Sequence, residues 1–281
     1  MLSSETPNSD SIFWLCQTGQ NKKLSYHTNG VLAFMKLAKW LYGDRFQDNG
    51  ENTRAECLAC GKDALEISNE GSHHFQCWSC KASGNAYTLI QMYYDLLPKP
   101  NKGTINPMLK LKPGTTFKGW RDMGLRLSDR GYICPCHNTE GKVVSLYRFA
   151  EDNNCWYSTP KPVSLQVMGL ASLSEDQPIM VLEGHADYNV ALSHFSEAGY
   201  DLLGLCGSSF PTKLLKHLEE RDVVFLGDND EAGRQGSVNL ATRAKKNGMM
   251  PARLRYLDWE QIGDVEEKAD IRDLALSLEE S

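Results

Sequence analysis

No run of roughly 18–20 consecutive apolar residues occurs in the 281-residue chain, so no membrane-spanning segment is expected. The first residues, MLSSETPNSDSIFW, lack the basic stretch and apolar run of a secretory signal, and a cytoplasmic protein is expected. A G-x-x-x-x-G-K-S/T phosphate loop is missing, which argues against a P-loop motor within these residues. Internal repeats are lacking as well. With 41% apolar and 23% charged residues, disorder and low complexity are excluded for the chain as a whole. The length suffices for two or three compact units.

Charge is unevenly spread. The net value of −6 argues against a polyanionic partner, but residues 101–170 carry ten lysines and arginines against five acids. Residues 171–281 reverse this, with eleven against twenty-one. A basic middle before an acidic end fits a polyanion track beside a carboxylate-rich, metal-demanding site; uneven surface charge is the plainer alternative.

The segment GVLAFMKLAKWLYG places Leu32, Met35, Leu37, Leu41 and Tyr42 at roughly helical spacing. A cysteine-rich knuckle follows, and then a second predicted helix, NAYTLIQMYYDLL. Residues 98–116, with four prolines among lysines, read as an extended basic linker. From 117 to 176 the chain looks β-rich, with strands over Tyr132–Pro135 and Val143–Phe149 joined by a hairpin connection at 137–141. From 177 to 281 strands and helices alternate. PIMVLE, DLLGLC, DVVFLG and ARLRYLD read as strands, and ADYNVALSHFSEAG, PTKLLKHLEE and EAGRQGSVNLATRAKKNG as helices. The fold class is therefore α/β and multi-domain, with a mostly parallel sheet in the last unit. Residues 1–29 are unassigned and 30–97 form the cysteine-bearing unit.

Cys57-x-x-Cys60 and Cys77-x-x-Cys80 are separated by sixteen residues. Each pair can offer two thiolates to one ion, so a closed structural Zn²⁺ site is expected. His73 and His74 could replace a thiolate but are expected to face solvent or nucleic acid. Phe75 and Trp78 either cap the small core or stack on a base. Cys134, Cys136, His137 and Cys155 are read as incidental, because the C-x-C-H step is too tight for the usual zinc turn.

Glu183 ends a predicted strand, with Asp187 one helical turn later. Asp228 and Asp230 end another, and Asp270 and Asp273 follow the last. Carboxyl ends of parallel strands converge on one crevice, so these acids are expected along a single rim. Such a cluster needs cations. Oxygen ligands suit Mg²⁺ or Mn²⁺, and the chemistry such ions serve is phosphoryl or nucleotidyl transfer.

With these residues in hand, HFQCWSCKASGNAYTLIQMYYDL resembles the zinc ribbon of bacterial and bacteriophage DNA primases, in a four-cysteine form. VLEGHADYNVAL, LCGSSFPTKLL, VVFLGDNDEAGRQG and DIRDLA resemble the topoisomerase–primase (Toprim) domain in primase form. The resemblance implies that 30–97 recognises template and that 117–176 is a basic β subdomain of the polymerase core. It makes Glu183 a general acid/base or metal-linked carboxylate supported by Asp187. Asp228, Asp230, Asp270 and Asp273 would hold Mg²⁺ or Mn²⁺. Arg148, Lys142, Arg126, Arg130 and Lys161 would contact nucleotide or template.

A DNA-templated RNA primase is therefore expected, with single-stranded DNA and ribonucleoside triphosphates as substrates and a helicase as a separate partner. A Toprim nuclease and a catalytically silent DNA- or helicase-binding module are the alternatives.

Overall fold

The structure is a computed structural model that describes residues 26–46, 52–68, 74–150, 155–160, 167–205, 210–262, 266 and 269–279. Its first helix, α1 (Tyr26–Tyr42), leads into a four-stranded antiparallel sheet of β1 (Asn52–Glu56), β2 (Asp63–Ser68), β3 (His74–Cys77) and β4 (Ser83–Asn85). Helix α2 (Ala86–Leu96) follows, its first turn capped by the Asn85 side chain, which accepts from the N–H groups of Tyr87 and Thr88. Such a cap satisfies donors that the helix itself leaves unpaired.

The segment expected to be an extended linker is instead largely helical. Helix α3 (Lys102–Leu111) starts at a reciprocal capping box between Asn101 and Thr104, and Ile105 and Met108 on its inner side are fully buried. Pro107 lies inside this helix. Its ring would press on the carbonyl four residues back, where Gly103 stands, and the cap and the two buried side chains outweigh that cost.

Helix α4 (Phe117–Asp122), carrying the fully buried Trp120, leads into a second antiparallel sheet of β5 (Arg126–Ser128), β6 (Gly131–His137), β7 (Val143–Ala150) and β8 (Cys155–Ser158). The two predicted strands are therefore present and paired, Ile133 opposite Arg148 and Cys134 opposite Tyr147.

The third sheet is parallel apart from one edge, in the order β13-β12-β10-β11-β9. Its members are β9 (Val167–Met168), β10 (Ile179–Leu182), β11 (Asp201–Leu205), β12 (Asp222–Leu226) and β13 (Arg253–Tyr256). Between them run α5 (His185–His194) and α6 (Glu231–Asn247); α7 (Trp259–Ile262) and α8 (Ile271–Glu279) complete the chain. The predicted helix over PTKLLKHLEE is a short 3₁₀ segment, Thr212–His217. The central strand β10 points Ile179 and Val181 to one apolar cluster and Met180 and Leu182 to another, so the sheet is covered on both faces. No helix among the described residues is long and apolar enough to cross a membrane.

Among the described residues three apolar clusters hold the fold together. One joins α1, the first sheet and α2 to Ile133, Val143 and Leu146 of the second sheet. The next joins α3, α4, the opposite face of the second sheet, α5 and α8. The last lies between the outer face of the parallel sheet and α6.

Candidate metal centres and acidic rim

The four cysteines of the knuckle come together: their sulfur atoms all lie within 4.8 Å of one another. Cys57 Sγ and Cys80 Sγ are 3.7 Å apart, and Cys60 Sγ and Cys77 Sγ 3.8 Å. A tetrahedron of thiolates about 2.3 Å from a zinc ion has edges of about 3.8 Å, so the donor set fits that ion. The N–H of Cys80 points at Cys77 Sγ, and backbone donors there lower this thiol to about 6. It is the only such group of ligands among the described residues. Cys134 and Cys136 are buried among apolar side chains. Trp78 is exposed, its indole N–H donating to Glu66 and Lys81 lying over its ring, while Phe75 is buried in the core. His74 is exposed; His73 lies outside the described residues.

At the carboxyl edge of the parallel sheet, Glu183 follows β10 and its Oε2 accepts from the N–H of Asp228 beyond β12, at 3.4 Å. Asp230 caps α6 through the N–H of Gly233 at 2.8 Å. Gly233 is required there, because a Cβ would fall 2.2 Å from the Asp228 carbonyl oxygen. Between the two acids, Asn229 holds the last segment in place. Its N–H donates to the Ala269 carbonyl and its side-chain amide to that of Glu266. This clasp brings Asp270 to the rim, and among the described residues no strand directly precedes it.

The electrostatics show how closely the acids sit. Burial, followed by the charges of Asp270 and Asp228, pushes Asp187 up to about 7, with Arg272 opposing. Burial and the charges of Glu183, Asp270 and Asp230 push Asp228 up to about 7. Glu183 is likewise raised, chiefly by burial. Like charges in partial burial raise one another in this way. Asp187 Oδ1 is buried without a hydrogen-bond partner. The cluster thus carries more negative charge than its single guanidinium neutralises, although its oxygens are not drawn together as closely as the four cysteine sulfurs.

Arg272, which the sequence reading left without a role, sits among these acids. Its Nη2 bonds Asp270 Oδ2, and its Nε faces Asp187 Oδ1 at 3.6 Å. The signal for it was an arginine enclosed by two aspartates. Asp273, by contrast, is exposed and its Oδ2 accepts from the Asp270 N–H.

Arg148, Arg130 and Arg126 lie against the first unit. The Arg148 guanidinium lies over Trp40 of α1, 5.5 Å from the ring centroid. Alternation along β7 explains why: Tyr147, which meets His185 at the start of α5, points to the other face. Arg130 donates to the carbonyls of Trp40 and Leu41 at the end of α1, at 2.5 and 2.8 Å. Arg126 stacks over Tyr94 of α2. All three join the first unit to the second sheet. Lys142 is exposed and paired with Glu140; Lys161 lies outside the described residues.

Solved structures share this fold. The chain is similar to the E. coli primase catalytic core (14% identity, TM-score 0.52, covering 68% of this chain and 75% of that one). A DNA primase domain from Pseudomonas aeruginosa matches at 18% identity and TM-score 0.52, covering 68% and 74% of the respective chains. The DnaG primase catalytic domain bound to single-stranded DNA matches at 15% and 0.53, covering 69% and 76%. No protein-family model and no curated protein matches the sequence. The fold is thus that of DNA primase catalytic cores, with a four-cysteine cluster ahead of it.

Proposed function

We propose that the chain is a Toprim-type primase that makes short RNA primers on single-stranded DNA by metal-dependent nucleotidyl transfer. The observation that carries this reading is the convergence of Glu183, Asp187, Asp228, Asp230 and Asp270 at the carboxyl edge of a primase-type sheet. Mg²⁺ or Mn²⁺ supplies activation of the attacking hydroxyl and charge stabilisation on the leaving pyrophosphate in such chemistry.

The chain's own groups divide the work. Glu183 and Asp228 face each other across β10 and β12, and Asp230 keeps one oxygen beyond its cap; these three offer ligands. Glu183, which ends β10 beside Asp228, would take the proton of the attacking hydroxyl. Asp187, almost wholly buried beside them, would support the set. Residues 30–97 would recognise template through the exposed face of the ribbon, where Trp78 and Lys81 offer a stacking surface and a positive charge. Residues 117–176 would be the basic β subdomain of the polymerase core, and 177–281 its Toprim catalytic domain. A helicase would be a separate partner.

The test is incubation of the zinc-loaded chain with single-stranded template, labelled ribonucleotides and Mg²⁺ or Mn²⁺. Short template-dependent RNA supports the primase. Degraded DNA shows a nuclease, and binding with neither product shows a silent module.

A further inference from the structure

The turn between α3 and α4 is fastened twice to helices of the third sheet. Thr116 exchanges hydrogen bonds with the Asn189 side chain of α5: its N–H donates to Oδ1 at 2.8 Å, and its carbonyl accepts from Nδ2 at 3.1 Å. Gly114, at φ +78°, presses on α8, where a Cβ would come within 3.1 Å of the Arg272 Cβ and carbonyl oxygen. Arg272 in turn bonds Asp270 and faces Asp187. Two residues before Gly114, Lys112 reaches the second sheet. Its ammonium lies over the Phe149 ring, 5.4 Å from the centroid. Phe149 shares its face of β7 with Tyr147, whose ring lies 4.6 Å from that of His185, two residues beyond Glu183. Lys112 is thus held between two series of contacts that each end at acids of the rim, on the face of β7 opposite Arg148.

We propose that Lys112 binds the phosphate groups of the nucleotide that reacts at the rim. The need for such a cation is electrostatic. Glu183, Asp187, Asp228, Asp230 and Asp270 crowd one edge, and the guanidinium among them, Arg272, is engaged by Asp270. A triphosphate brought to that edge adds further negative charge. Arg148, Arg130 and Arg126, expected from the sequence to meet it, lie against the first unit instead. An ammonium suits the task, being a compact point charge with three rotatable donors on a flexible four-carbon stem. Its contact with one ring is weak beside a charge-assisted bond to phosphate, so the stem can stay on Phe149 while the head turns. The attachments of Gly114 and Thr116 fix where that stem starts. The assignment rests on the reading of the rim as the reacting centre.

The experiment separates nucleotide from template. Binding of a ribonucleoside triphosphate to the zinc-loaded full chain is measured by equilibrium dialysis in Mg²⁺, with the unphosphorylated ribonucleoside as control. Lys112→Met keeps an unbranched stem on Phe149 and removes the charge. It should weaken triphosphate binding about tenfold, the lower worth of one hydrogen bond to a charged group, and leave the control unchanged. Lys112→Arg, which restores the charge, should recover most of that loss. Melting temperature checks the fold, and Lys112→Gln serves as the neutral variant should methionine disturb it. In primer synthesis the neutral variant should raise KM for ribonucleotides about as much and leave kcat unchanged. Unaltered triphosphate affinity in the neutral variant, or a wild type that does not bind triphosphate, overturns the proposal. So does a change of about 0.7 in the salt slope for single-stranded DNA with triphosphate affinity intact, which assigns Lys112 to template. Triphosphate binding that needs Lys112 in a chain that makes no RNA removes the primase and keeps the phosphate site. RNA synthesis indifferent to Lys112→Met does the reverse.

Discussion

Asp273 and Asp270 cap one another: Asp273 Oδ2 accepts from the Asp270 N–H at 3.0 Å, and Asp270 Oδ1 accepts from the Asp273 N–H at 3.3 Å. This is a capping box at the start of α8, and it uses Asp273 for helix initiation. Asp273→Ala should therefore lower stability by about 1 kcal/mol, the usual value of a cap, and leave Mn²⁺ binding unchanged. A loss of bound ion with unaltered melting would contradict this assignment.

Asp228 is central to the rim and is also one of its repelling charges. Asp228→Asn should abolish primer synthesis while zinc content and DNA binding stay near normal. The metal-free variant should melt above the wild type, because one of several crowded carboxylates has been neutralised. Persisting synthesis would place the reacting centre elsewhere.

Stabilisation by Mg²⁺ should depend on pH. Asp187 and Asp228 both titrate near 7 in the folded chain, against about 3.8 ordinarily. In that interval the folded state binds more protons than the unfolded one, so metal-free stability falls as pH rises from about 4 to about 7. A cation that favours the ionised acids reverses the penalty. The rise in Tm on adding Mg²⁺ should be small near pH 5 and large near pH 8, as differential scanning fluorimetry would show; a pH-independent rise would refute the coupling.

Arg130 gives a direct contrast between structural and DNA-binding roles for a cation. Its two bonds to the last carbonyls of α1 also meet the negative end of the helix. Arg130→Gln should cost about 1.5–3 kcal/mol, as for hydrogen bonds to charged groups. The slope of log affinity for single-stranded DNA against log salt should not change, whereas loss of a phosphate contact would reduce it by about one.

Zinc should be structural. Cys77→Ser should lose the ion and loosen the cluster in which Leu65, Ile67 and Phe75 meet α1 and α2, lowering Tm and DNA affinity while Mn²⁺ binding at the acidic rim survives. Full zinc occupancy in this variant would remove Cys77 from the ligand set.

Much of this was legible because the signals are local. Apolar runs bounded by turns marked β10, β11 and β12, and paired C-x-x-C steps marked the knuckle. Acids placed just beyond strands meet wherever strands run parallel. What could not be read depends on direction and on distant partners. Arg148 shows as a charge in sequence, but only its register on β7 tells which face it takes, and a shift of one residue would reverse it. The 102–111 helix was hidden by its proline and lysines, because its two buried side chains find their partners in α4 and in the second sheet. Arg272 meets Asp187 and Asn229 meets Glu266 and Ala269, partners that lie far away along the chain.

The apolar cluster shared by the ribbon, α1 and α2 reaches Ile133, Val143 and Leu146 of the second sheet. A shortened version starting after residue 97 would strip the cover from those three side chains and leave a sticky, aggregation-prone patch. Dissection by truncation would then confuse poor solubility with lost activity. Point changes within the intact chain are the sounder way to separate reading the template from joining nucleotides.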